Sequence, residues 1–172
     1  MQFGKGREAM MSSSDNLFKV VFDVDTGDGP LPNLKKESLW GECAGKHLAV
    51  LRNVPFFACN VALGDLIEFE TKNNEHAFIG VREPSSNSTV HCFCFCPSLM
   101  DCIKTALLKV GCTIEIGPIP EYLAINVPSL EAANCIKAFM SEYASSDQLC
   151  FQVSCSRHPD VLDENFEDDS QS

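Results

Sequence analysis

A run of alternating cysteines and phenylalanines, VHCFCFCPS, constrains the fold of this chain more than any other segment. The run is rich in residues that favour β-strands, and a Pro-Ser pair ends it, so we predict a strand over 89–96. Its two faces are Cys92, Cys94 and Cys96 on one side and His91, Phe93 and Phe95 on the other. A strand that is apolar on both faces is buried on both, so two separate layers must cover it.

The pattern that follows this strand predicts one of the two layers. Ser98 and Asp101 form a capping-box pattern before a run of apolar residues at helical spacing, and Gly111 is placed to end that helix. The chain then continues with alternating strands over 112–116 and 122–127, a helix lined by residues 132–143, and a strand over 149–154. This order is βαββαβ, the ferredoxin-like arrangement, in which both helices cover one face of the sheet.

The first half of the chain predicts the other layer. It lacks helical periodicity, and its strand patterns fall at 17–24, 47–51, 66–70 and 77–82. Short strands with turns between them are typical of a small β-barrel or curled sheet. We therefore predict an α+β protein in which a β-rich subdomain, 17–84, packs on a ferredoxin-like βαββαβ sandwich, 88–158. We expect residues 1–16 and the acidic tail, 159–172, to be disordered.

Charge and hydropathy exclude several classes of partner. The net charge is −11, and six of the 24 acidic residues lie in the tail, where there is no lysine or arginine. No basic stripe is present to contact phosphates, so we predict no nucleic-acid partner. The apolar stretches are too short to span a membrane, and the first residues lack the apolar core of a secretory signal. The sequence therefore predicts a cytoplasmic protein without a membrane partner.

The 10 cysteines are open to three interpretations: packing, metal binding and redox chemistry. No C-x-x-C motif is present, and a reducing compartment disfavours a disulfide framework. Alternate cysteines on a strand lie about 6.5–7 Å apart, whereas two thiolates on one zinc ion lie about 3.8 Å apart. We therefore predict that Cys92, Cys94 and Cys96 pack in the core, and we predict no metal and no cofactor. A metal site that recruits His91 or His158 is the alternative.

A set of short motifs between Glu37 and Thr89 resembles a bacterial family of small cytoplasmic proteins that is classed as a domain of unknown function. Its pattern is Glu-x-Leu-Trp, then Asn-x-Pro-Phe-Phe, then Gly-Asp-x-Val/Ile, then Ser-Gly-His-Ser-Thr before a strand. The matching residues are Glu37, Leu39, Trp40, Asn53, Pro55, Phe56, Phe57, Gly64, Asp65, Ile67, Ser85, Ser88 and Thr89. This chain departs from the pattern at Gly41, where the family usually has alanine, and at Ser86-Asn87, where it usually has Gly-His. The resemblance continues more weakly to Pro128 and implies no activity.

The motif residues also supply the candidate site, at the junction of the two halves. The candidate ligand- or partner-binding residues are Glu37, Trp40, Asn53, Phe56, Asp65, Ser88 and Thr89. Asn53 and Asp65 flank turns, so their alternative role is to bind the loop backbone. We predict a non-catalytic binding or regulatory protein that acts through the interdomain groove or the acidic surface on a protein or small ligand. The alternative is a small hydrolase or transferase that uses Asp65 with Ser88 or Thr89.

Overall fold

The structure is a computed structural model that describes residues 16–27, 33–117, 119–143 and 145–163. Within these residues the strands are β1 (Leu17–Asp23), β2 (Lys36–Gly45), β3 (Leu48–Leu51), β4 (Leu66–Lys72), β5 (Glu75–Glu83), β6 (Ser88–Cys94), β7 (Thr113–Ile116), β8 (Tyr122–Val127) and β9 (Leu149–Cys155). The helices are α1 (Pro97–Lys109), α2 (Leu130–Glu142) and α3 (Pro159–Leu162). Among these residues, no helix is both long and apolar enough to cross a membrane. The protein is α+β.

The second half of the chain forms a four-stranded sheet with the strand order β7-β8-β6-β9. Every neighbouring pair in this sheet is antiparallel, and the order along the chain is β6-α1-β7-β8-α2-β9. Residues from α1 and α2, such as Ile103 and Ile136, form one buried cluster with Val90 and Ile125 of the central strands. Both helices therefore cover the same face of the sheet, which leaves the other face to be covered by something else.

The first half forms a closed barrel with the strand order β1-β2-β3-β4-β5. Parallel pairing of Val21 with Ala77 closes it between β1 and β5. The strand β2, the longest of the barrel, was not predicted from the sequence. Its alternate residues Glu37, Leu39 and Gly41 are all buried. A glutamate and a glycine on the inward face hide the apolar alternation by which a strand is recognised.

The central strand β6 is shorter than the sequence predicts. Cys92 and Cys94 are buried at 0% and 2% exposure, which confirms the prediction that they pack in the core. The strand ends at Cys94, so Cys96 does not extend that face; it is the N-cap of α1, and Pro97 takes the first helical position. The prediction of Ser98 as N-cap is therefore wrong. Proline suits this position because the N–H it lacks has no partner within the helix.

The short segment that follows β9 contributes a residue to the core. The acidic composition predicts a disordered tail over 159–172, but residues 159–162 form α3, and Leu162 is only 6% exposed in the cluster under α1 and α2. The remainder of that predicted tail, 164–172, and nearly all of the predicted N-terminal segment lie outside the described residues. The helix α3 was not predicted because Val161, Leu162 and Phe166, the three apolar residues of this acidic segment, show no helical periodicity.

Candidate functional site

A long connection between β3 and β4, residues 52–65, lies across the face of the second sheet that the helices leave open. We call it the crossing loop. Its hydrogen bonds reach all four strands: Val54 N to Glu115 Oε1 on β7 at 2.8 Å, Pro55 O to His91 Nε2 on β6 at 2.9 Å, Phe56 O to Tyr122 Oη on β8 at 2.6 Å, and Ala58 O to Ser154 Oγ on β9 at 3.3 Å. The loop belongs to the barrel half, so that half covers the outer face of β6, as predicted.

Glu37 holds the crossing loop from inside the end of the barrel. Its carboxylate accepts hydrogen bonds from the backbone N–H groups of Phe56, Phe57 and Ala58, at 2.7, 3.0 and 2.7 Å. The residue is 9% exposed. Charge-assisted bonds from backbone N–H groups to a carboxylate are among the stronger hydrogen bonds in proteins. Glu37 therefore fixes the turn that faces the second sheet, and it acts through the backbone.

Asp65 and Thr89 hold the far end of the same loop. Both are fully buried. Asp65 accepts from the N–H of Ala62 at 2.9 Å and from the N–H of Ser85 at 2.7 Å. The Thr89 hydroxyl donates to the carbonyl of Val61 at 3.1 Å. These bonds join the crossing loop to the segment that links the barrel with β6, so both residues orient the two halves.

Trp40 and Asn53 form a separate pair on the outside of the barrel. Asn53 Oδ1 accepts from the Trp40 N–H at 2.7 Å, which fixes the start of the crossing loop against β2. The indole is 43% exposed, and the Lys19 ammonium lies 4.0 Å from the centre of its ring. Trp40 is thus a surface residue, neither core nor part of the junction.

Ser88 makes the one contact among the predicted residues that resembles a catalytic pair. Its hydroxyl lies 2.8 Å from His158 Nδ1 and accepts from the Arg157 N–H at 2.8 Å. A serine bonded to histidine is the arrangement of an activated nucleophile. Ser88 is 0% exposed, however, so no substrate reaches this oxygen in the structure. The pair anchors the chain after β9 to the start of β6.

A cleft of about 150 Å³ opens beside the crossing loop, between the barrel and the second sheet. Phe56 is the predicted site residue that lines it. The lining residues are Asp25, Thr26, Phe56, Phe57, Cys59, His91, Tyr122 and Gln152. Among the described residues, no group of three or more His, Cys, Asp or Glu side chains is placed to hold a metal ion. Aromatic walls with a few polar groups are typical of a small-ligand site.

His91 gives the cleft a defined hydrogen-bonding character. Burial lowers the pKa of His91 below its ordinary value of 6.5, so the ring is neutral at pH 7. Nε2 lies 2.9 Å from the Pro55 carbonyl oxygen, which can only accept, so Nε2 carries the proton. Nδ1 then presents a lone pair, and it has no hydrogen-bond partner among the described residues. His91 is therefore an acceptor in the cleft wall.

Sequence reasoning missed most of the cleft, because its residues come from separate parts of the chain. His91, Tyr122 and Gln152 lie on three neighbouring strands, and Asp25 follows β1. One signal was available: a histidine on the outer face of a strand that is buried on both faces needs a partner. That partner, the Pro55 carbonyl, lies in the half of the chain that is predicted to cover this face, but the sequence does not show which residue of that half meets the histidine.

Comparison with protein families matches residues 37–151 to the model described as "Domain of unknown function (DUF4265)". The chain belongs to the DUF4265 family. A solved structure titled "Novel crystal structure of a hypothetical protein from Neisseria gonorrhoeae" resembles this DUF4265 protein with a TM-score of 0.67. The two are 20% identical, and the similarity covers 80% of this chain and 93% of that one, so the likeness concerns the fold alone. Comparison with curated proteins finds no match.

The matched region explains why the family pattern falls where it does. It begins at Glu37, includes the whole crossing loop and ends in β9. The motif residues Glu37 and Asp65 accept from backbone N–H groups of the crossing loop, and Asn53, at the start of the loop, accepts from the Trp40 N–H of β2. In this DUF4265 protein the motif residues thus hold the two layers together, and Phe56 and Phe57 of the motif also line the cleft.

Proposed function

We propose that this DUF4265 protein is a non-catalytic, cytoplasmic binding or regulatory protein, and that it takes a small ligand, or a small group of a partner, in the cleft beside the crossing loop. The observation that carries the proposal is the cleft itself, where aromatic walls meet the acceptor atom of His91. The proposal treats residues 88–158 as a ferredoxin-like unit and residues 17–84 as the barrel unit. The antiparallel order β7-β8-β6-β9 supports that division.

The hydrogen bonds of the cleft favour binding over catalysis. The Tyr122 hydroxyl donates to the Phe56 carbonyl at 2.6 Å, and burial raises the pKa of Tyr122, so it is a poor proton donor to a substrate. His91 Nε2 is committed to Pro55. The burial of Asp65, Ser88 and Thr89 disfavours the alternative hydrolase or transferase, because all three are fully buried. Asp65 and Thr89 bond to loop and linker backbone, and Ser88 bonds to the His158 ring and the Arg157 N–H.

A fragment screen by NMR tests this function. The full-length protein is titrated with a library of small soluble fragments, and the His91 ring and the Gln152 side-chain amide report on the cleft. We expect a subset of fragments to shift both groups in a saturable manner. The variant Gln152→Phe places an aromatic ring in the cleft and removes the amide reporter, so it should abolish the shifts of the His91 ring.

The matched control for this screen is Gln148→Phe, which adds the same ring at an exposed position ahead of β9 that does not line the cleft. It should leave fragment binding unchanged. If fragments bind without shifting His91 or Gln152, or if Gln152→Phe has no effect on those that do, the cleft is not the binding site.

A further inference from the structure

We propose that the cleft binds a small organic cation, an ammonium or guanidinium head group, and that Asp25, His91 and the rings of Phe56, Phe57 and Tyr122 recognise it. This inference rests on the proposed function, because it names the ligand class for the same cleft. Four features of the lining support it independently: its charge, its hydrogen-bond acceptors, its aromatic walls and its size.

The charge of the lining is negative. Asp25 is its carboxylate, and neither lysine nor arginine occurs among the eight lining residues. A hydrogen bond from Lys35 lowers the pKa of Asp25, so the carboxylate is ionised at neutral pH. The Lys35 ammonium lies 2.8 Å from Asp25 Oδ1, but the two side chains are 65% and 73% exposed. Exposed ion pairs of this kind contribute little, so a bound cation can share the same carboxylate.

The hydrogen-bonding groups of the lining are mainly acceptors. His91 offers the Nδ1 lone pair. Tyr122 gives its proton to the Phe56 carbonyl, which leaves the lone pairs of the phenolic oxygen available. The Asp25 carboxylate can only accept. A ligand rich in N–H donors therefore matches these three groups, whereas an anion would depend for donors on the Gln152 amide and the Thr26 hydroxyl.

The aromatic rings add a second attraction for a cation. The ring centres of Phe56, Phe57 and Tyr122 lie 6.0–6.3 Å from one another. A cation is attracted to the face of an aromatic ring within about 6 Å of its centre. A positive group that enters beside one of these rings is therefore close to the others as well.

The volume of the cleft limits the size of the bound group. A volume of about 150 Å³ corresponds to roughly five water molecules, at about 30 Å³ each. That space admits a methylammonium or guanidinium group, and a single six-membered ring already fills a volume of this size. The cation is thus either a free small amine or guanidine, or the end of a side chain presented by a peptide.

A set of NMR titrations at constant ionic strength tests the ligand class. The probes are methylammonium, methylguanidinium, acetate and acetamide, and the readouts are the His91 ring and the Gln152 amide of the full-length protein. We expect both cations to shift these groups in a saturable manner, with acetate and acetamide inactive. Asp25→Asn should weaken cation binding roughly two- to fivefold, as for loss of one exposed ion pair.

Asp23→Asn is the matched control, because Asp23 is an exposed acid at the end of β1 that does not line the cleft. It should leave the affinity unchanged.

N-acetyl-arginine amide separates the two sources of the cation: tighter binding than methylguanidinium indicates a peptide side chain, and equal binding indicates a free small molecule. Acetate or acetamide binding as tightly as the cations would overturn the ligand class and leave the proposed function standing. If no probe shifts His91 or Gln152, the inference is overturned, and the fragment screen separately decides the function.

Discussion

At the scale of single residues, the buried carboxylates of Glu37 and Asp65 accept hydrogen bonds from backbone N–H groups. Glu37 accepts three N–H bonds from the crossing loop, and Asp65 accepts two more from its far end and the linker after β5. A buried carboxylate is tolerated when hydrogen-bond donors contact its oxygens. If the carboxylate is removed, those buried donors are left unpaired, and their desolvation lowers the stability of the fold. The main role of these two motif residues is therefore to stabilise the fold.

Glu37→Gln should lower the free energy of unfolding by about 1–3 kcal/mol, because the new NH₂ group faces backbone donors and leaves at least one of them unpaired. Urea denaturation followed by the fluorescence of Trp40 measures it. Glu75→Gln is the control, since Glu75 forms an exposed ion pair with Lys36 at 2.8 Å, and its loss should cost less than about 0.5 kcal/mol. Equal losses in the two variants would contradict the role given to Glu37.

His91 should make stability depend on pH. Burial lowers the pKa of His91 in the folded protein. When the pH falls below about 6.5, the ordinary pKa of histidine, the unfolded chain therefore binds a proton at this residue and the native state does not. The free energy of unfolding therefore falls as the pH drops from 7 towards 5. His91→Gln keeps an N–H donor for Pro55 but cannot titrate, so its stability should change less over this range. His76→Gln, in the barrel, is the control; a parallel slope in all three proteins would rule out the linkage.

At the scale of elements, the sequence predicts those whose local pattern is undisturbed. The helices α1 and α2 and the strands β7, β8 and β9 were found because their periodicity and turns agree with their final environment. The strand β2 was missed because Glu37 and Gly41 point inward, and α3 was missed because a single turn has no periodicity. The crossing loop was not predicted as a covering layer, because its partners lie on strands that come later in the chain.

The short helix α3 should contribute measurably to stability. A chain that ends at His158 loses Leu162, whose burial is worth about 2 kcal/mol, and should melt roughly 4–8 °C lower than the full chain. A chain that ends at Asp163 keeps every described contact of α3 and is the control, with a much smaller expected change. Differential scanning calorimetry measures both, and the same melting temperature for the two truncations would show that α3 is dispensable.

At the scale of the whole molecule, the hydrogen bonds of the crossing loop join the barrel to the second sheet. The crossing loop begins and ends in the barrel, yet its bonds lie on β6, β7, β8 and β9. Without that loop, His91 and Tyr122 would lose both their cover and their hydrogen-bond partners. The two halves should therefore unfold as one unit.

Two probes in different halves should report the same unfolding transition. Trp40 fluorescence follows the barrel, and alkylation of Cys92 follows the second sheet, since burial blocks this thiol and raises the pKa of Cys92. We expect coincident urea midpoints, as for a two-state protein. Cys102, exposed on α1, should react at every urea concentration and controls for reagent activity. Midpoints that separate clearly would show that the halves unfold independently.

The crossing loop also sets the order in which the protein can be completed during synthesis. Its bonds join residues 36 to 96 positions apart, and the most distant partner, Ser154, is in β9. Contacts of such long sequence separation form slowly. A chain still on the ribosome can finish its barrel strands long before β9 emerges, and until then the loop has no complete surface to bind. Its Phe56 and Phe57 side chains then stay exposed, which makes the nascent chain most prone to aggregation just before its last strand is released.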